Sequence, residues 1–126
     1  MRVETKISPP NSIVLIMDAV TGQPPETFGG ALIATTATCI AVGTLSEQEG
    51  ETTVLLSDES TYEDPTCQIL AYEGSLTVLG GEVSVMTALN NVILKLPVQA
   101  RDVWVRVWVN DKSEPDRVVV IVGVAR

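Results

Sequence analysis

The alternation Trp104-Arg106-Trp108 is the stretch of this chain best equipped for recognition. Residues two apart on a strand share a face, so the guanidinium stands between two indoles. Trp and Arg are enriched at binding hot spots, and a stacked guanidinium docks with little loss of rotamer freedom. The plainer alternative is that loops cover the stripe as ordinary packing, since large aromatics end up mostly buried. Arg106 argues against full burial, because a lone cation in a core needs a carboxylate partner. Carboxylates are the second group. Glu47, Glu49 and Glu51 share one side if their loop is extended, and Asp58, Glu59, Glu63 and Asp64 crowd the next polar connection. Oxygen ligands in such number suit calcium, but the spacing matches no EF-hand loop. Solvated loop charge, or a patch for a basic protein, is the expectation; no metal or other cofactor is.

Catalytic chemistry has few players. The chain has no histidine, which removes His-based triads, His metal ligands and His proton shuttles together. A serine or threonine nucleophile would need Lys6, Lys95, Lys112 or a carboxylate as its base. Cys39 lies in an apolar stretch, where burial raises a thiol pKa. Cys67 follows Asp64-Pro65, and neighbouring acids raise its pKa too. The two cysteines show no CxxC spacing, and two free, largely buried thiols are expected, with a disulfide as the alternative. The glycine pairs have neither GxGxxG nor Walker spacing and read as turns. A non-enzymatic domain is the expectation.

Charge narrows the class of partner. The 126 residues carry a net charge of −8, unevenly spread. Between Ile7 and Leu94 there are eleven carboxylates and no Lys or Arg, whereas Lys95 to Arg126 holds six basic residues against four acidic ones. Direct nucleic-acid binding needs clustered cations and is not expected, nor is attachment to an anionic membrane. An acidic face of this kind draws a basic protein and speeds its arrival. The first residues lack the apolar stretch of a signal peptide, and no run approaches the ~20 residues that span a bilayer, so a cytoplasmic protein is expected.

The elements that must position these groups are strands. Val, Ile and Thr number 19, 8 and 13, a β-branched excess that favours extended structure. Val3–Ser8 reads as a first strand, and Ser12–Asp18 as a second with a centre buried on both sides. Thr21–Gly30, with two prolines and three glycines, reads as a long loop. Within the ambiguous Ala31–Leu45 the preferred strand is Thr38–Leu45, joined as a hairpin to Thr52–Ser57 through the acidic reversal at 46–51. Cys67–Tyr72 resumes the strand pattern. Ser75–Leu79 and Glu82–Leu89 flank Gly80-Gly81 as a second hairpin. Asn90-Asn91 turns the chain into Val92–Leu96, which Pro97 ends. Asp102–Asn110 alternates strictly, with Val103, Val105, Val107 and Val109 opposite the Trp-Arg-Trp stripe. Arg117–Val124 reads as a central strand covered on both faces. The sum is a single all-β domain, an antiparallel β-sandwich of eight or nine strands.

The run Ile13–Asp18, the glycines Gly29-Gly30 and Gly43, the Leu96-Pro97 turn and the alternating Val103–Val109 together resemble the small bacterial β-sandwich proteins that include competence protein J, an inhibitor of a partner nuclease. The resemblance is one of rhythm over most of the chain and transfers no residue. It implies an inhibitor-type binding role. The leading expectation is therefore an acidic, protein-binding sandwich that neutralises a basic partner such as a nuclease or toxin. In it, the loops 47–51 and 58–64 steer and Trp104, Arg106 and Trp108 anchor. The alternatives are a self-assembling subunit or homodimer joined through strands such as Val118–Val122, and a small-ligand or carbohydrate binder using the Trp pair as a platform.

Overall fold

The computed structural model describes residues 1–123; Val124, expected at the end of the last strand, lies outside them. Ten strands form: β1 (Arg2–Ile7), β2 (Ile13–Met17), β3 (Ile33–Thr36), β4 (Cys39–Gly43), β5 (Thr52–Ser57), β6 (Ile69–Thr77), β7 (Glu82–Thr87), β8 (Val92–Pro97), β9 (Asp102–Val109) and β10 (Arg117–Val122). They make two five-stranded sheets. Sheet 1 has the order β1-β5-β10-β9-β6 and sheet 2 the order β3-β4-β2-β7-β8. Every neighbouring pair is antiparallel except β5 and β10, which run parallel. This is the expected all-β sandwich, with ten strands rather than eight or nine. Among the described residues no helix is long and apolar enough to cross a membrane.

Alternation builds the core. Val54 and Leu56, Val103 through Val109 at every second position, and Val118, Val120 and Val122 point inward from sheet 1. Val14, Ile16, Ile40, Val42, Val83, Val85, Leu94 and Leu96 meet them from sheet 2. Each such side chain contributes roughly 1.5–3 kcal/mol when fully buried. β10 sits between β5 and β9, central as its apolar run implies. Val118–Val122 therefore has no free edge through which chains could join.

Three local expectations need correction. Ala31–Leu45 makes two strands, β3 and β4, turned at Ala37-Thr38, where the Thr36 hydroxyl accepts from the Thr38 amide at 3.3 Å. Segments 67–72 and 75–79 merge into one strand, β6, with an irregularity between Leu70 and Tyr72. A Cβ at Gly74 would meet the Tyr72 ring at 2.8 Å, so the glycine leaves room for that ring. The two long-range hairpins do not form. β4 and β5 lie in different sheets, as do β6 and β7, so loop 44–51 and Gly80-Gly81 are bridges between layers. Gly81, at φ 84°, still supplies the positive angle expected of it. Leu76 and Val83 belong to the same core cluster but enter it from the two different sheets. The Asn90-Asn91 turn is as expected: Asn90 has φ 65° and β7 pairs with β8.

Two long connections cross the outer faces. The segment after β2, 18–32, runs over sheet 2 and seats Phe28 against the cluster of Leu15, Met17, Cys39, Ala41 and Met86. The segment after β5, 58–68, runs over sheet 1 and brings Tyr62 and Cys67 onto Leu55, Val119 and Ile121, with Trp104 and Trp108 alongside.

Candidate functional site

Strand β9 places its two sides as its alternation demands. The valines are buried, and Trp104, Arg106 and Trp108 stand half-buried on the outer face of sheet 1. Arg106 finds the carboxylate it requires: Glu73, its register partner on β6, binds its Nε. On the other side of the stripe Val119 and Ile121 of β10 lie opposite Trp108 and Arg106. The tryptophans are thus neither buried beneath the loop nor free of it.

The segment 58–68 is held over this face by Asp64. Its Oδ1 accepts from the Thr66 amide at 2.9 Å and hydroxyl at 2.6 Å, and its Oδ2 from Arg117 Nε at 2.6 Å. Arg117 also approaches Glu4 at 3.6 Å. Burial pushes the Asp64 carboxyl upward, but the hydrogen bonds from Thr66 and the guanidinium beside it outweigh that and hold it below its ordinary value. Burial likewise disfavours the charge on Arg117, and Asp64 more than restores it.

Between this segment and the sheet lies a pocket of about 410 Å³ lined by Tyr62, Glu63, Asp64, Pro65, Cys67, Gln68, Trp108 and Val119. Its aromatic walls carry a carboxylate, Glu63, that is exposed to solvent. The Cys67 thiol donates to the Arg117 carbonyl at 3.4 Å, and burial first, then the charge of Asp64, pushes it up to about 11. A protonated thiol with its proton committed to a carbonyl is a poor nucleophile.

The other expected residues fall elsewhere. Glu47, Glu49 and Glu51 are exposed on loop 44–51 at one end of the sandwich, tied to the turn after β9 by the Leu45 amide donating to the Pro115 carbonyl at 2.9 Å. Glu51 shares an open polar cleft with Lys6, Asp64, Asp116 and Arg117. Asp58 and Glu59 lie at the opposite end of β5, where Asp58 meets the Met1 ammonium at 2.6 Å and Glu59 meets Arg2 Nε at 3.3 Å. The fold therefore brings Glu63 and Asp64 to Trp108 and leaves the other five carboxylates apart. Among the described residues no three acidic or thiol side chains converge as a metal site.

Sequence reasoning passed over Tyr62, Glu73 and Asp18. Glu73 was legible only as the unnamed partner that Arg106 requires. Asp18, 2% exposed, accepts from the Val20 amide and the Thr21 hydroxyl, each at 2.9 Å, and from the Gly80 amide, so it pins 18–32 to the β6–β7 bridge. Its signal was a carboxylate closing an apolar strand two residues before a turn.

No family model matches the chain, and no curated protein does either. Two solved structures are similar to it. One is ComJ from Bacillus subtilis, an inhibitor of the DNA-degrading activity of NucA, at 10% identity and a TM-score of 0.68 over 97% of this chain and 93% of that one. The other is the product of crocagin biosynthetic gene J, at 12% identity and a TM-score of 0.60 over 99% and 96%. At such identities the likeness is one of fold, and it extends over essentially the whole sandwich.

Proposed function

We propose that this chain is a non-enzymatic binding protein that inhibits or neutralises a basic partner protein, a nuclease or toxin being the partner class. The observation that carries the reading is the half-open aromatic pocket of sheet 1, edged by Glu63 and set in a body of net charge −8. Aromatic walls supply contact area at small entropic cost, and the surrounding carboxylates steer a cationic surface toward them. The likeness to ComJ supports an inhibitor-type role, since that neighbour inhibits a DNA-degrading activity. Two free thiols, Cys39 and Cys67, suit a reducing compartment, so the cytoplasm belongs to the same proposal.

The test begins with capture from a lysate of the encoding organism at low and high salt. Any basic protein retained only at low salt is then purified and its enzymatic activity assayed with and without one equivalent of this chain. Suppression of that activity is the expected result. A partner whose activity is unchanged, or whose retention ignores salt, overturns the reading.

A further inference from the structure

We infer that the pocket beneath segment 58–68 is a receptor for one guanidinium, the side chain of an arginine on the basic partner; this rests on the protein-binding reading above. The two carboxylates of the pocket are not equivalent. Asp64 is already neutralised by Arg117. Glu63 is exposed, and among the described residues no cation lies within ion-pair distance of it. The pocket thus presents one uncompensated negative charge beside the apolar surfaces of Trp108, Tyr62, Pro65 and Val119.

The same segment already makes this kind of contact once. The guanidinium carbon of Arg2 stands 4.6 Å from the centre of the Tyr62 ring, and Arg2 Nε lies 3.3 Å from Glu59. A guanidinium over an aromatic ring with a carboxylate at its edge is therefore an arrangement these residues support. Trp108 and Glu63 offer the same two partners to a guanidinium arriving from outside. A flat, weakly hydrated cation suits such a slot better than a compact, strongly hydrated ammonium. A volume of about 410 Å³ takes one long side chain, but not an element of structure. Leu70, the register neighbour of Trp108 on β6, is 44% exposed and extends the apolar surface on which the rest of the partner would rest.

The experiment titrates the chain with N-acetyl-arginine methylamide, its neutral citrulline analogue and the lysine counterpart. Binding is read from the Trp108 indole N–H resonance of the unaltered chain and from the fluorescence of Trp104→Phe, whose only indole is Trp108. The expected result is saturable binding of the arginine probe with a millimolar constant, weaker binding of lysine, and none of citrulline. Glu63→Gln is expected to weaken the arginine probe about fivefold. Equal responses to arginine and citrulline, or no response at Trp108, overturn the receptor. If that happens while a basic protein is still captured and inhibited, the protein-binding reading survives without it. A saturating arginine response in a chain that inhibits no basic protein supports the receptor and removes the broader reading.

Discussion

The two outer faces of the sandwich solve one packing problem differently. Each sheet has apolar residues on its solvent side, and each is crossed by a long connection between two parallel strands of that same sheet. Over sheet 2, segment 18–32 carries only Asp18 and Glu26 as charges and packs Phe28 onto an apolar cluster. Over sheet 1, segment 58–68 carries four carboxylates, covers Val119 and Ile121, and leaves Trp104 and Trp108 half-open beside a pocket. The second arrangement sets charge and aromatic surface where solvent reaches them, which is why the proposed function attaches to sheet 1.

The anchors of the two segments offer the largest way to break this contrast. Asp18 is itself buried and is met by neutral donors, so Asp18→Ala leaves the Val20 and Gly80 amides and the Thr21 hydroxyl without their acceptor and is expected to cost about 2–3 kcal/mol in denaturant unfolding. Asp64→Ala leaves Arg117 with Glu4 nearby and is expected to cost about 1–2 kcal/mol. For Asp18, burial raises the carboxyl and the hydrogen bonds from Val20, Thr21 and Gly80 more than reverse it, so both carboxyls sit below their ordinary 3.8. Their stabilisation is complete above that value and is lost as pH falls through the lowered folded-state values. Acid unfolding should therefore steepen below about pH 4 in the unaltered chain and flatten in either variant. A larger loss for Asp64→Ala than for Asp18→Ala would reverse the ranking of the two covers.

Thiol labelling sharpens the comparison at a second level. Burial pushes Cys39, beneath 18–32, up to about 12, while burial and then Asp64 push Cys67 up to about 11. Both should react slowly at neutral pH, with Cys67 the faster. Faster labelling of Cys39 would show that the less charged cover opens more readily than the more charged one. The smallest effect on stability is expected from reversing Glu47, Glu49 and Glu51 to lysine. These residues are exposed at the end of the sandwich, so the unfolding free energy should move by no more than about 0.5 kcal/mol. Association with a basic partner, followed by stopped flow, should nevertheless slow. An unchanged association rate would confine the charge effect to Glu63 and its neighbours.

Much of this was readable in the chain itself, and the unread part has a common cause. The alternation of 102–110 told which side of β9 would be buried, and the apolar run 118–122 told that β10 would be central, because a strand's own pattern reports its burial. Pattern does not report which sheet the next strand joins. Gly80-Gly81 has good hairpin chemistry, yet the strands it joins, β6 and β7, lie in different sheets. Thr38–Leu45 and Thr52–Ser57 were separated in the same way. The site was partly legible for a related reason: Trp104, Arg106 and Trp108 belong to one strand, whereas Tyr62, Glu63 and Glu73 join them only through a crossing segment and a neighbouring strand.

The parallel pair β5–β10 has a consequence for biosynthesis. The strand at the centre of sheet 1 is the last of the ten to be made, and its partners β5 and β9 precede it. All five strands of sheet 2, and then β9, are made before β10, when sheet 1 is still two ribbons, β1–β5 and β6–β9, each with an unpaired margin. Translation thus holds the nascent chain half-assembled until residues 117–122 emerge and insert between those margins, joining distant parts of the chain in one late step.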